Sequence, residues 1–200
     1  MTNASKKQIS DVIQVVQKID DYKQMKDETI VERLLNNEIS LWGVLHDLGD
    51  QFPEICMAAV QRNGYTIKFV KDQTPEICLA AVKQNGQALE YVKKQTPEIC
   101  MAAVKENGWA LRYVKKQTPE ICLAAVKQNG QALEYVKKQT PEICLAAVQK
   151  CGMALEFVKK QTLEICTAAI DAAIAANMTE VIDFVDTTKF EIESLSIKKK

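Results

Sequence analysis

Six cysteines, Cys56, Cys78, Cys100, Cys122, Cys144 and Cys166, recur at a constant interval of 22 residues. A thiol ladder has three chemistries open to it: crosslinking, metal binding and nucleophilic attack. If the interval is one structural unit, equivalent atoms of adjacent units lie about 8–10 Å apart. A disulfide needs Cα atoms within ~7 Å, and zinc needs sulfurs at ~2.3 Å from a common ion. The ladder therefore suits neither, and reads as small buried thiols filling a core. Attack on a substrate would need a partner base, and the one histidine, His46, lies outside the ladder near the N-terminus. Cys151 is off the ladder, in the slot that other units fill with Asn63, Asn85, Asn107 and Asn129; it is expected to be exposed and reactive, but incidental rather than catalytic. With no nucleophile–base pair, phosphate loop or metal-ligand spacing, the expectation is a protein that is not an enzyme and uses no cofactor or metal.

Lysines recur at the same interval: Lys71, the pairs Lys93–Lys94, Lys115–Lys116 and Lys137–Lys138, then Lys159–Lys160. Such a ladder could follow a nucleic-acid backbone, since helical repeats can read a single strand one base per unit. Each pair is separated by only Gln-Thr-Pro or Gln-Thr-Leu from an acid, Glu98, Glu120, Glu142 or Glu164, and Lys71 lies near Glu76, which neutralises much of that edge. The whole chain is balanced, with 26 Lys plus Arg against 26 Asp plus Glu, so no net field draws it to polyanions. Nucleic-acid binding through Lys93, Lys94, Lys115, Lys116, Lys137 and Lys138 stays as the alternative to protein binding.

The elements that must position these groups follow from the repeat itself. QTPEICLAAVKQNGQALEYVKK at Gln73–Lys94 returns unchanged at Gln117–Lys138. A unit of this length cannot bury its own apolar face and must stack on its neighbours. In the unit near Thr96, the threonine is a suitable N-cap, Pro97 fits the first helical turn and Glu98 places negative charge at the positive end of the dipole. Ile99, Cys100, Ala103 and Val104 then give an apolar face, and the Ala102–Ala103 pair lets helices approach closely. Gly108 is expected to close this helix in the left-handed conformation. A second helix, WALRYVKK, is expected to turn Leu111 and Val114 inward and to end on Lys115 and Lys116, with the short period making it irregular or partly 3₁₀. The fold class is all-α: an α-solenoid, a right-handed superhelix of two-helix repeats with helical caps.

Residues 1–50 read as an N-terminal helical cap with half a degenerate repeat, and 51–162 as five tandem repeats. The span 163–186 reads as a divergent sixth repeat and C-terminal cap, and 187–200 as a flexible tail. Without a secretory leader or a bilayer-length apolar run, the expected setting is the cytoplasm, with no membrane contact and a monomeric state.

PEIC, NG and LEYV at fixed offsets, over about Phe52–Val185, resemble an uncharacterised family of short tandem α-repeats, known only as a domain of unknown function in bacteria and large DNA viruses. The resemblance implies a helical repeat and brings no activity, catalytic residue or cofactor.

Comparison of units within the chain separates structural positions from free ones. The middle unit differs from its identical flanking units at four places, Met101, Glu106, Trp109 and Arg112. The last two positions vary most across the chain: Tyr65 with Lys68, Gln87 with Glu90, Trp109 with Arg112, Gln131 with Glu134, Met153 with Glu156. Three apart on the second helix, they form a stripe, and Trp and Arg are enriched among interface hot spots. Tyr65, Lys68, Gln87, Glu106, Trp109, Arg112, Gln131 and Met153 are therefore the candidate partner-binding residues, set against drift of a tolerant surface. Glu90, Glu134 and Glu156 precede Lys94, Lys138 and Lys160 by four, a favourable helical pairing, whereas Arg112 faces Lys116. The expected function is a non-catalytic scaffold that binds a protein partner as adaptor or inhibitor; antagonism of a host or defence enzyme is compatible with this, and a passive spacer is a further alternative.

Overall fold

A computed structural model describes residues 53–177 and 180–186. The expectations for 1–50 and for the tail 187–200 lie outside the described residues. Each unit begins where Thr-Pro-Glu predicts. In the third, Thr96 is extended and its hydroxyl accepts from the Ile99 N–H, and Pro97 opens the α-helix. Pro-Glu opens five α-helices, α1 (Pro53–Arg62), α2 (Pro75–Gln84), α3 (Pro97–Glu106), α4 (Pro119–Gln128) and α5 (Pro141–Lys150). The threonine cap recurs before α2, α4 and α5, whereas Phe52 stands in its place before α1.

The second helix of each unit is a six-residue 3₁₀ helix: η1 (Gly64–Phe69), η2 (Gly86–Tyr91), η3 (Gly108–Tyr113), η4 (Gly130–Tyr135) and η5 (Gly152–Phe157). Asparagine sets it up. The Asn107 side chain accepts from the Trp109 N–H at 3.0 Å while its carbonyl accepts from the Ala110 N–H at 2.9 Å, so the first bond spans three residues rather than four. A 3₁₀ helix rises about 2 Å per residue and an α-helix 1.5 Å. Six residues of one thus cover nearly the length of ten of the other, and the chain returns to start the next unit within the 22-residue period.

Two sequence expectations change here. No glycine among the described residues has positive φ, so Gly108 does not close its helix in the left-handed conformation. What excludes a side chain is the neighbouring unit: a Cβ on Gly108 would sit 2.6 Å from the Ala125 carbonyl oxygen, and one on Gly152 2.6 Å from that of Ala169. The second helix also stops at Tyr113, before Lys115 and Lys116. Those lysines lie in the following bend, so they do not serve the last turn of a helix.

The described chain divides into two compact units, one within Met1–Gln84 and Tyr91–Lys94, the other within Asn85–Glu90 and Gln95–Lys200. In the first, α1 packs on α2 and η1 lies against both. Ile55, Ile67 and Val60 fill its core with no exposed surface. In the second, α3 to α5 and a longer helix α6 (Leu163–Ala175) pack in sequence, as do η3, η4, η5 and η6 (Glu180–Phe184). Leu111, Leu133 and Leu155 are its fully buried anchors. Asn177 takes the left-handed conformation, φ 53°, just beyond α6, as a residue closing a helix often does. The fold is an all-α solenoid of helix pairs in sequential contact, with no strand among the described residues.

All six ladder cysteines are buried. Burial raises the thiol pKa of Cys78, Cys100, Cys122 and Cys144, and of Cys56, where Asp72 and Glu54 add to it. Cys151 is half-buried. Native protein treated with a thiol-specific alkylating reagent should therefore modify Cys151 first, the ladder reacting only as the fold opens. Peptide mapping that found a ladder cysteine labelled as fast as Cys151 would contradict this burial.

Candidate partner-binding surface

Five glutamines hold the second helices in place. Gln117 donates from Nε2 to the carbonyls of Leu111 at 3.4 Å and Tyr135 at 2.8 Å. Its Oε1 accepts from the Lys137 N–H at 3.0 Å and from the Cys122 thiol at 3.7 Å. One amide thus joins the end of its preceding 3₁₀ helix, the end of the next one and the ladder cysteine. Gln95 and Gln139 repeat the clamp onto Tyr113 and Phe157, and Gln161 makes it to the Phe184 carbonyl and the Asp186 N–H. In the first compact unit Gln73 takes the Tyr91 carbonyl at 3.1 Å and the Lys93 N–H at 2.9 Å. Sequence reasoning took Gln-Thr-Pro for a turn and missed this role. The available signal was that Gln161 persists where the sixth unit has replaced its proline with Leu163.

The stripe stands on this frame. Tyr65, Gln87, Trp109, Gln131 and Met153 are half-buried, whereas Lys68, Glu90, Arg112, Glu134 and Glu156 are exposed. Side chains three apart on a 3₁₀ helix eclipse one another, which brings Trp109 and Arg112 onto one line. The Trp109 ring meets Tyr135 edge-on, with centroids 5.8 Å apart. The Arg112 guanidinium lies 5.0 Å from the centre of Tyr113 and 5.7 Å from that of Tyr135. Arg112 is thus layered on aromatic faces, and the opposition to Lys116 expected from helical spacing does not arise, because Lys116 lies beyond the end of η3.

In the first compact unit a smaller version exists. Tyr65 meets Tyr91 edge-on at 6.1 Å and the Lys68 ammonium lies 4.7 Å from the Phe69 ring centre. The helical pairing of Glu90, Glu134 and Glu156 with Lys94, Lys138 and Lys160 is likewise absent: each 3₁₀ helix ends one residue after its glutamate, and no ion pair joins them among the described residues.

Glu106 does not belong to the stripe. It ends α3 in the slot of Gln84 and Gln128, whose side chains accept from the Gly64 and Gly108 N–H groups at 2.6 and 2.7 Å. Its own carbonyl accepts from Gln128 Nε2 at 3.3 Å. Tyr91, Tyr113 and Tyr135 are half-buried and supply the rings against which Tyr65, Trp109 and Arg112 rest.

Lys93, Lys94, Lys115, Lys116, Lys137 and Lys138 are exposed along the bends that follow the 3₁₀ helices. The Lys93 ammonium caps the Lys71 carbonyl at 2.9 Å and approaches that of Val70 at 3.4 Å. Beside them Glu120 turns back on its own helix. Hydrogen bonds from the Thr118 hydroxyl and its own backbone N–H hold its carboxyl below the ordinary glutamate range, and the same two sources, backbone first, act on Glu76 with Thr74.

The sequence profile of a domain of unknown function, DUF4116, matches four overlapping stretches, residues 53–96, 74–117, 96–140 and 118–163. Together they cover more than half of the chain. The protein belongs to the DUF4116 family. Each DUF4116 match takes in about two of the 22-residue units, and successive matches begin about one unit apart. The matched span stops at Leu163, short of the sixth unit that the sequence resemblance had included. No curated protein and no solved structure matches the chain. Among the described residues no helix is long and apolar enough to cross a membrane, and no group of three His, Cys, Asp or Glu side chains could hold a metal ion.

At Cys151 the asparagine cap is lost: it precedes η5 with no side-chain hydrogen bond, while Asn129 caps the Gln131 N–H at 3.0 Å. Cys151→Asn should restore that bond and stabilise the protein by about 0.5–1.5 kcal/mol. Thermal unfolding reads this directly, and a lowered melting temperature would contradict the cap assignment.

Proposed function

We propose that this DUF4116 protein is a non-catalytic scaffold that binds a partner protein through the variable positions of its second helices, with Trp109 and Arg112 as the anchor. The observation that carries this reading is the exposed Arg112 guanidinium layered over Tyr113 and Tyr135 beside a half-buried Trp109. Arginine and tryptophan held rigid by their neighbours lose little freedom on binding, and these residue types dominate interface hot spots. The identical flanking units carry Gln87 with Glu90 and Gln131 with Glu134 at the same positions, so the frame itself does not require the aromatic–cation pair. Tyr65 and Lys68 form the corresponding patch of the other compact unit. Glu106 drops out of this surface, and Gln87, Gln131 and Met153 flank it. The chain would act by occupying a site on its partner, as adaptor or inhibitor.

The test is the double variant Trp109→Gln with Arg112→Glu, which copies the residues of the units on either side. Helical circular dichroism and melting should stay close to wild type, while specific partner capture, compared with wild type after nuclease treatment, should fall by tenfold or more. Undiminished capture would reject the patch. Capture that vanished on nuclease treatment would favour nucleic acid instead.

A further inference from the structure

The second compact unit repeats one groove three times. The first is lined by Thr96, Pro97, Cys100, Lys115, Lys116 and Ile121, with a volume of about 280 Å³. The second, about 270 Å³, has Lys137 and Lys138 in the same places, and the third, about 210 Å³, has Lys159 and Lys160. At the floor of each, the ladder thiol and the clamp glutamine satisfy one another, as Cys122 and Gln117 do at 3.7 Å. What remains for a ligand is an apolar wall from the proline, joined by Ile121 in the first groove and Ile165 in the third, together with the paired lysines. No acidic residue lines any of the three grooves. The nearest acid in sequence to the second groove, Glu120, is engaged with Thr118 and its own N–H at the start of α4. Lys116, Lys138 and Lys160 are exposed and have no hydrogen-bond or ion-pair partner among the described residues.

We propose that these three grooves bind an extended acidic peptide, with one carboxylate side chain for each of Lys116, Lys138 and Lys160. The repeat supplies the register. Packed helices stand about 8–10 Å apart, and an extended chain in the polyproline II conformation has three residues per turn and advances about 3.1 Å per residue, so every third side chain lies on one face and meets the next lysine. Small aliphatic side chains between the carboxylates fit the apolar walls. A nucleic-acid strand fits less well, because no groove is lined by an aromatic ring on which a base could stack. This surface is separate in its residues from the Trp109–Arg112 patch and stands or falls without it.

Fluorescence anisotropy with the full chain decides the matter, using the labelled nonapeptide Glu-Val-Ser repeated three times. A block peptide of the same composition, with its three glutamates adjacent, and a nine-residue oligothymidylate serve as competitors. The repeating peptide should bind saturably, with the block peptide and the oligonucleotide each about tenfold weaker or worse. Lys116→Ala with Lys138→Ala and Lys160→Ala should weaken it about tenfold, as expected for three partly exposed ion pairs. Lys138→Ala alone should weaken it about two- to threefold, which keeps the test decisive if the triple variant melts early. Trp109→Gln with Arg112→Glu should leave this binding unchanged. Absence of saturable binding, equal affinity for the block peptide, tighter binding of the oligonucleotide, or indifference to the lysine substitutions would each overturn the proposal.

Discussion

Replacing Gln117 with alanine destabilises the protein by about 2–3 kcal/mol, more than loss of any exposed side chain on the stripe. The amide joins four groups: the carbonyls of Leu111 and Tyr135, the Lys137 N–H and the Cys122 thiol. Truncation removes the partner that Gln117 gives the Tyr135 carbonyl, the Lys137 N–H and the Cys122 thiol, while the Leu111 carbonyl keeps the Val114 N–H at 3.1 Å. A half-buried polar group without a partner costs about 1–3 kcal/mol before water repairs part of the loss. The expected fall in melting temperature is roughly 5–10 °C for a chain of this size. Gln117→Glu sharpens the test, because it keeps the acceptor and turns the donor into a second acceptor facing two carbonyl oxygens. Its carboxyl pKa should rise, so the penalty is full above the folded pKa and shrinks as pH falls through it and the protonated oxygen regains a donor. A Gln117→Ala variant that melts with wild type, or a Gln117→Glu variant with no relief in acid, would show that the clamp is decorative.

Gly108→Ala is expected to cost about 1–3 kcal/mol, the usual range for overpacking. The sign is the opposite of what helix propensity alone suggests, since alanine is the better helix former. The new methyl would meet the Ala125 carbonyl oxygen at 2.6 Å, Gln128 Oε1 at 2.9 Å and the Asn129 Cβ at 3.0 Å. Two of these belong to the backbone or sit on it, so the neighbouring unit must shift as a body. Because each unit holds mainly its neighbours, the damage should be local: amide hydrogen exchange should quicken in 108–129 and far less in 53–62. Ala102→Ser, at a half-buried position of α3, is the matched control and should be mild. A Gly108→Ala protein as stable as wild type would mean that adjacent units are not as close as described.

Taken together, these expectations separate two kinds of invariance along the chain. Gln117 and Gly108 recur in their slots because a neighbouring unit presses on them, whereas Trp109 and Arg112 stand where neighbours tolerate Gln and Glu. That contrast gives the variable pair its interest, and it also shows why one variant should damage the fold while the other spares it.

Much of the fold was legible in the residues. Thr96 and Pro97 mark a helix start because capping and the missing proline N–H are properties of a few adjacent residues. The apolar spacing of Ile99, Cys100, Ala103 and Val104 marked the buried face, and the strict period demanded stacking. The stripe was legible as a set of variable positions, but its geometry was not: the rings beneath Trp109 and Arg112 come partly from Tyr135, 26 residues beyond Trp109 in sequence and in contact through space. Gly108 suggested a left-handed turn because that is its commonest use, and the true reason, the Ala125 carbonyl, lies in the next unit. Lys115 and Lys116 looked helical until the 3₁₀ geometry ended η3 at Tyr113. Local chemistry thus determined where helices begin and which side chains they bury. The tertiary structure decided which polar groups clamp one unit to another and what the variable side chains rest on, since those depend on distances between units that no run of adjacent residues encodes.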